Sequence, residues 1–417
     1  MMSRRKVELM APAGNWESLQ AAINAGADSV YFGIDQLNMR ARASINFTLG
    51  DLKEIAKRTS KAGIKSYLTL NTIIYDHDLS VIKTLINAVK DAKISAIIAS
   101  DQAVINYASS QGVEVHISTQ LNVTNIETVK FYSHFADVMV LSRELSLIQI
   151  KKICDQIIKE DIRGPKGNLI EIEIFAHGAL CVAVSGKCYM SLHTHNSSAN
   201  RGACVQNCRK TYTVIDKETG IELDIDNEYI MSPKDLCTLD FLDQVLDTGV
   251  TVLKIEGRGR APEYVKTVIE TYRKAIDDYL SGKYNQANVE EWMEDLKKVY
   301  NRDFWGGYYL GQKLGEFNNT SGSKATQKRV YIGKGVHYFP RVGVAEFKVE
   351  AQNIKVGDKI LITGPTTGVI ETEITEMMVD EKPVYEANRG VNVTFLVKDK
   401  IRRSDKLYKI VKTEFAK

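Results

Sequence analysis

Over the first 260 residues, short apolar runs alternate with longer stretches in which apolar residues recur at helical spacing. The runs are VELMAPAG (7–14), SVYFG (29–33), KSYLTL (65–70), AIIAS (96–100), VEVHIST (113–119), VMVLS (138–142), IEIFAHG (172–178) and VTVLKIEG (250–257). Between them lie segments such as WESLQAAINAGA and LKEIAKRTSKAG, several ending in glycine before the next run, as C-capped helices do. Eight strands alternating with helices predict a (β/α)8 barrel of the TIM type over residues 1–283. A doubly wound open sheet is the rival, and the count of eight favours the barrel.

The regularity breaks once. About 70 residues (179–249) separate the seventh and eighth runs, far more than a βα unit needs. This insertion starts at the C-terminal end of the seventh strand, the end at which barrels carry their chemistry. After the eighth run, APEYVKTVIETYRKAIDDYLSG (261–282) reads as a helix. A tract rich in Asn, Gly and aromatic residues (284–325) reads as an extension or linker. From residue 326 the period falls to two, with turn signals between runs such as RVGVAEFKV and NVTFLV, predicting a small all-β barrel domain over 326–417.

Composition narrows the class without naming a partner. The chain is 44% hydrophobic and 26% charged, which fits an ordinary globular protein. A net charge of +3 leaves nucleic-acid binding to depend on basic residues gathered on one face. The N-terminal MMSRRKVELM has no apolar signal core, and no run approaches 18 apolar residues, so a cytoplasmic protein without a membrane span is expected. Thiols in that compartment stay reduced, which favours ligands or catalysts over disulfides.

That bears on the insertion, whose HGALCVAVSGKCYMSLHTHNSSANRGACVQNCRK (177–210) holds four of the six cysteines. Cys181, Cys188, Cys204 and Cys208 are separated by six, fifteen and three residues, with Cys237 downstream. Cys154, in a helical pattern, reads as a small core residue. Structural burial fits a polar Gly/Asn/Ser-rich loop poorly. Zinc prefers tight CxxC pairs, absent here, although His193 and His195 are available as further ligands. An iron–sulfur cluster needs four thiolates and tolerates wider spacing. On residue chemistry alone, zinc and the cluster stand nearly level.

Residues 171–210 closely resemble the cysteine signature of the collagenase-like peptidase family U32. APAGNWESLQAAINAGADSVYFG, MSPKDLCTLDFLDQVLDTGVTVLKIEGRGRAPEYV and YNRDFWGGY agree with it in order, over roughly residues 7–310. The last domain, with NIKVGDKILITGPTTGVIE, looks like the small β-barrel of translation factors. Members of the family take part in hydroxylation of the tRNA wobble uridine, of ribosomal RNA cytidine, and in anaerobic ubiquinone synthesis. The branch most similar to this chain acts on tRNA uridine, with an oxygen donor derived from prephenate. The resemblance implies a [4Fe–4S] cluster on Cys181, Cys188, Cys204 and Cys208, with Cys237 in reserve; Zn2+ is the alternative that the residue chemistry keeps. It further implies tRNA as partner and a U32 paralogue as a possible second subunit.

The competing expectation is a metal-dependent peptidase. The chain contains no HExxH, no GxSxG and no serine- or cysteine-protease signature. Cys181 with His177 is a conceivable nucleophile–base pair, but His177 reads better as a hydrogen-bond donor beside the cysteines. Candidates for the barrel mouth are His177, Gln120, Glu144 and Glu256 for chemistry, with Asn71 and Asp101 lining it. Arg40, Arg42, Arg143 and Arg258 are candidates for substrate binding, and Arg201, Arg209 and Arg260 also follow strands or lie in the insertion. KRVYIGKGVHYFPR (328–341) interleaves basic and aromatic residues as RNA-contacting strands do.

Overall fold

The computed structural model describes residues 7–35, 37–41, 45–213, 215–220, 229–320 and 322–416. Eight parallel strands form the barrel: β1 (Glu8–Ala13), β2 (Ser29–Phe32), β3 (Lys65–Leu70), β4 (Ala96–Ala99), β5 (Val115–Ile117), β6 (Val138–Val140), β7 (Glu171–Ala179) and, after the short β8 (Asp235–Cys237), β9 (Val252–Ile255). β9 pairs in parallel with β1 (Glu8 opposite Val252) and with β7 (Glu173 opposite Val252), so the sheet closes. Closure rules out the open doubly wound alternative. The strands read as unbroken apolar runs because both faces of a parallel barrel strand are covered.

The surrounding helices are α1 (Trp16–Asn24), α2 (Leu52–Lys61), α3 (Leu79–Ala92), α4 (Gln102–Ser110), α5 (Ile126–Tyr132), α6 (Leu147–Lys159), α7 (Met190–His195) in the insertion, α8 (Leu242–Asp247) and α9 (Pro262–Ser281). Their starts follow from local chemistry. Asn15, Asp101, Asn125 and Ser146 each accept a first-turn backbone N–H at the head of α1, α4, α5 and α6, a cap that contributes about 1 kcal/mol. In α6 the apolar stripe Leu147, Ile150, Ile153, Cys154 and Ile157 is buried, which makes Cys154 the core residue its pattern predicted.

Two short strands lie outside the barrel count. β8 runs antiparallel to the end of β7, with His177 opposite Cys237, and β10 (Phe304–Trp305) adds in parallel to β8. They stitch the insertion and the later extension to the C-terminal edge of the barrel. The tract 284–325 is not a plain linker. It contains α10 (Gln286–Lys298), whose Val289, Trp292 and Leu296 are buried against the barrel's core.

Residues 327–412 form antiparallel sheets, with neighbours in the order 368–373, 359–364, 406–412, 327–339, 344–349, 392–396, 378–379 and 382–383, plus a ribbon of 354–355 with 386–387. Their own core includes Ile332, Phe347, Ile362, Phe395 and Leu407, with Phe347 and Phe395 stacked at 5.1 Å. This domain docks on α1. Ala21 packs against Leu361 and Val369, and Asn24 donates to the Thr367 carbonyl at 3.2 Å. Gly368, at φ +75°, brings its backbone so near α1 that an added Cβ would lie 3.1 Å from the Ala21 nitrogen. No described helix is long and apolar enough to cross a membrane.

Candidate active site

At the C-terminal end of the barrel a cavity of about 380 Å3 lies beneath the cysteine insertion. The insertion is held there by specific contacts. Arg201 pairs with Asp78 at 2.5 Å, donates to the Ile73 carbonyl and covers the Tyr75 ring at 4.2 Å. Gly202, at φ +81°, lies so close to the loop after β2 that a Cβ would stand 2.2 Å from the Asn38 carbonyl oxygen. On the other side Arg209 donates to Leu180 O at 2.6 Å, to Ser232 Oγ at 2.9 Å and to Pro233 O. Asn122 donates to Ser185 O at 3.1 Å, and Arg143 to Ser185 Oγ at 3.0 Å, tying the Cys181–Cys188 loop to the ends of β5 and β6.

Cys181, Cys188, Cys204 and Cys208 all line this cavity, and none is disulfide-bonded. They stand near enough for their charges to be felt at Cys208, whose thiol is pushed up by burial first, against the pull of Arg209, and then by the other three. Cys204 accepts from the Gln206 N–H at 3.4 Å and lies 4.0 Å from Ser191 Oγ, the polar contacts that orient and tune thiolate ligands. In chemistry and number the donor set therefore fits a thiolate-bound group. Among the described residues, however, no three His, Cys, Asp or Glu side chains are gathered as an ion-binding group. His193 and His195 are exposed on α7 and do not line the cavity.

Facing the thiols is a cationic wall. Arg40, Arg143, Arg209, Lys254, Arg258, Arg260 and Arg302 line the cavity, against a single carboxylate among the described residues, Glu256. Arg40 meets Glu256 at 2.7 Å, Lys254 meets Glu173 at 2.8 Å, and Arg302 meets Asp235 at 3.2 Å. Arg143, Arg209, Arg258 and Arg260 have no carboxylate in ion-pair contact among the described residues. Arg258 is buried, donates to Asn38 Oδ1 at 2.9 Å and Thr69 Oγ1 at 3.0 Å, and keeps its Nε unpartnered. Holding such a charge away from water is costly unless an anion completes the set. Burial alone would push the Glu256 carboxyl up. The charges of Arg40 and Arg258 outweigh it, and with hydrogen bonds from Arg40 and Tyr31 they bring it down to about 2.

The sequence candidates divide. Gln120, Asn71, Arg40, Arg143, Arg258 and Glu256 come together at the cavity. Asn71 Nδ2 donates to Gln120 Oε1 at 3.2 Å, so these two amides form one polar patch. Asp101 instead caps α4, and Glu144 is exposed outside the cavity. Arg42 lies outside the described residues. His177 does not reach the cysteines: a bulge after Phe175 turns its ring into an aromatic box of Tyr264, Tyr272 and Phe304. Burial there, with a smaller contribution from Arg260, brings its pKa down to about 3. Cys237 is also misplaced for a reserve ligand. Its sulfur lies 3.8 Å from Tyr272 Oη and 3.8 Å from Met293 Sδ, and burial pushes it up to about 12. Lys254, Arg302, Tyr31 and Tyr300 were missed as lining residues. For Lys254 the signal was present, a lone cation inside an apolar strand.

The fold and this site define a TIM-type barrel with a cysteine-lined, arginine-rich mouth and a C-terminal antiparallel domain. The family profile described as "Peptidase family U32" matches residues 14–319, and the chain belongs to that family. A protein named "Collagenase" from Porphyromonas gingivalis is 55% identical over 413 residues, covering 99% of this chain and 100% of that protein. "tRNA hydroxylation protein P1" of Bacillus subtilis is 35% identical over 314 residues, 74% of this chain and 72% of that protein. "23S rRNA 5-hydroxycytidine C2501 synthase" of Escherichia coli is 35% identical over 289 residues, 69% of this chain and 42% of that protein.

Proposed function

We propose that this chain hydroxylates RNA, acting on the wobble uridine of tRNA at the barrel mouth. The observation that carries the reading is the juxtaposition of four free thiols with arginines that make no contact ion pair among the described residues, around one cavity. A base turned out of its stack needs a pocket with amide and hydroxyl groups for its edge and cations for the flanking phosphates. Gln120, Asn71 and Ser118 supply the first, and Arg40, Arg143 and Arg260 the second. Relatives named for tRNA and rRNA hydroxylation agree with it.

Cys181, Cys188, Cys204 and Cys208 are the residues that would hold a [4Fe–4S] cluster. When bound, such a group supplies one-electron chemistry close to the substrate. Prephenate is the oxygen source in this reading, and its two carboxylates suit guanidiniums such as Arg143 and Arg258, which bind carboxylate in a fork. Glu256, ionised down to about pH 2, holds Arg40 in place and is not the proton donor.

A peptidase is the second reading, favoured by the near full-length match to a protein named collagenase. Against it, the histidine nearest in sequence to Cys181 is turned into an aromatic box, and with its pKa brought down to about 3 it is too weak a base to activate a thiol. Mass spectrometry of tRNA nucleosides from a deletion strain decides between them. Loss of the 5-hydroxyuridine-derived nucleosides is expected, with return on complementation. Unchanged nucleosides in a strain lacking every U32 paralogue, together with gelatin cleavage by the pure protein that Cys181→Ala abolishes, would establish the peptidase.

A further inference from the structure

A second cavity, of about 880 Å3, lies between the barrel and the C-terminal domain. Its walls are the start of α9, the end of α10 with Val299 and Tyr300 behind it, and the paired strand ends at Gln327–Arg329 and Ile410–Phe415. Gly259, Arg260 and Tyr300 line both cavities, so the cleft adjoins the barrel mouth. We propose that this cleft carries the RNA strand to the mouth; the inference rests on the RNA reading above and adds the path by which RNA arrives.

Charge supports it once existing pairs are removed. Of the acids in the cleft, Glu263 is held by Arg329 at 2.7 Å and Glu371 by Lys266 at 3.4 Å. What remains is Arg260, Lys328 and Lys412, none with a carboxylate in ion-pair contact among the described residues, against Glu414 alone. Lys412 stands opposite Gln327, on the sheet face whose Arg329 reaches across to α9. Lys328 and Lys412 line the sheet side of the cleft and Arg260 lines both cleft and mouth, so cations mark a line from one to the other. A polyanionic chain fits such a line better than a compact ligand does.

At the junction sits an aromatic platform. The Arg260 guanidinium lies 3.5 Å from the Tyr300 ring centroid, with Arg302 on the same ring at 5.2 Å. Stacked guanidinium and phenol planes are surfaces on which bases lie, and the cations reach the adjoining phosphates. Tyr300 thus stands where the strand would turn from cleft to pocket.

The test is fluorescence anisotropy of an unmodified tRNA transcript with the full chain, between 50 and 200 mM salt. Lys328→Glu with Lys412→Glu is expected to weaken binding at least ~10-fold and to reduce the slope of log affinity against log salt by about two, since each phosphate contact contributes about 0.9. The neutral pair Lys328→Ser with Lys412→Ser should show a smaller loss in the same direction. Both lysines are exposed, so melting temperatures should match the parent. If the parent binds tRNA and both variants bind with unchanged affinity and slope, the cleft is not the path, while the RNA reading stands. If the parent itself binds no tRNA and the deletion strain's nucleosides are unchanged, the RNA reading falls and the path with it. Variants that lose gelatin binding but keep tRNA binding would assign the cleft to a polypeptide and overturn the proposal.

Discussion

The two ends of the barrel treat charge in opposite ways. At the N-terminal end, where β1, β3, β5 and β7 begin, Lys65 and Lys166 each meet a carboxylate, and Glu171 is left without a cation in contact among the described residues, its carboxyl pushed up by burial. Lys65 pairs with Glu8 at 2.8 Å, and Tyr67 donates to the same carboxylate at 2.7 Å. Glu114 is reached by Lys166 and lies 3.3 Å from His116. At the C-terminal end, among the described residues, seven cations line a cavity with one carboxylate, and four of the arginines make no contact ion pair. A matched network stabilises the fold and asks for nothing further. Unmatched arginines around a cavity leave charge for an anion to meet, which is the ground for proposing the C-terminal end as the binding end.

The sharpest way to break this contrast is at the thiols. Cys204→Ser together with Cys208→Ser should abolish product nucleoside in a complemented deletion strain. Anaerobically purified parent should hold about four irons and four sulfides per chain, and the variant should hold none. A colourless parent carrying one zinc would remove the cluster from the reading while leaving the cationic mouth. The matching substitution at the buried thiol, Cys237→Ser, should leave iron content unchanged.

Glu256→Gln comes next. It leaves Arg40 and Arg258 facing each other without their shared counter-charge, and a loss of about 3 kcal/mol is expected in denaturant unfolding. Glu8→Gln at the opposite end should cost clearly less, about 1 kcal/mol, because Lys65 is half exposed and turns to water. Equal losses at the two ends would dissolve the distinction.

Acid titration sharpens it further. Glu256 and Glu114 are both held at about 2, against an ordinary value near 4.5. A depressed carboxyl stabilises the fold above its unfolded value, and that stability is lost as pH falls from about 4.5 toward 2. His177 acts over a higher window. Its folded value is about 3 and its unfolded value 6.5, so the unfolded chain takes the proton first and stability declines from about pH 6.5 downward. His177→Gln should flatten the dependence of melting temperature on pH between 6.5 and about 4.5, where the carboxyls do not yet contribute. A slope unchanged in that variant would show the ring is not buried as placed.

Much of this was legible along the chain. The eight barrel strands stood out because apolar residues fill both faces of each, and the cysteine spacing marked the insertion. Other parts were hidden for physical reasons. β8 and β10, of three and two residues, are too short to show a period. The burial of His177 depends on a bulge after Phe175 that reverses the alternation of β7, and no residue type announces it. The Arg40–Glu256 pair joins residues 216 apart, which only barrel closure brings together. By contrast α10 was readable: Val289, Trp292 and Leu296 sit at helical spacing behind an Asn285 cap, but the surrounding Asn, Gly and aromatic residues masked the pattern.

The smallest expected effect lies at the matched end and tests it most directly. Lys166 is half exposed, and its ammonium reaches a Glu114 that also has His116 beside it. Removing it as Lys166→Ala takes one partner from a carboxylate that keeps another, in contact with solvent on one side. Screening by water limits such a pair to under about 1 kcal/mol, and salt should reduce the difference further. A loss of that size, shrinking between low and high ionic strength, is expected in thermal unfolding. Arg143→Ala at the mouth breaks no ion pair, only its contacts with Ser185 and the Phe175 ring, and should cost no more stability while tRNA affinity falls. If Lys166→Ala instead weakened tRNA binding as much as Arg143→Ala, charge at the two ends would act through the general field of the protein, and the mouth would lose its claim to be the specific binding end.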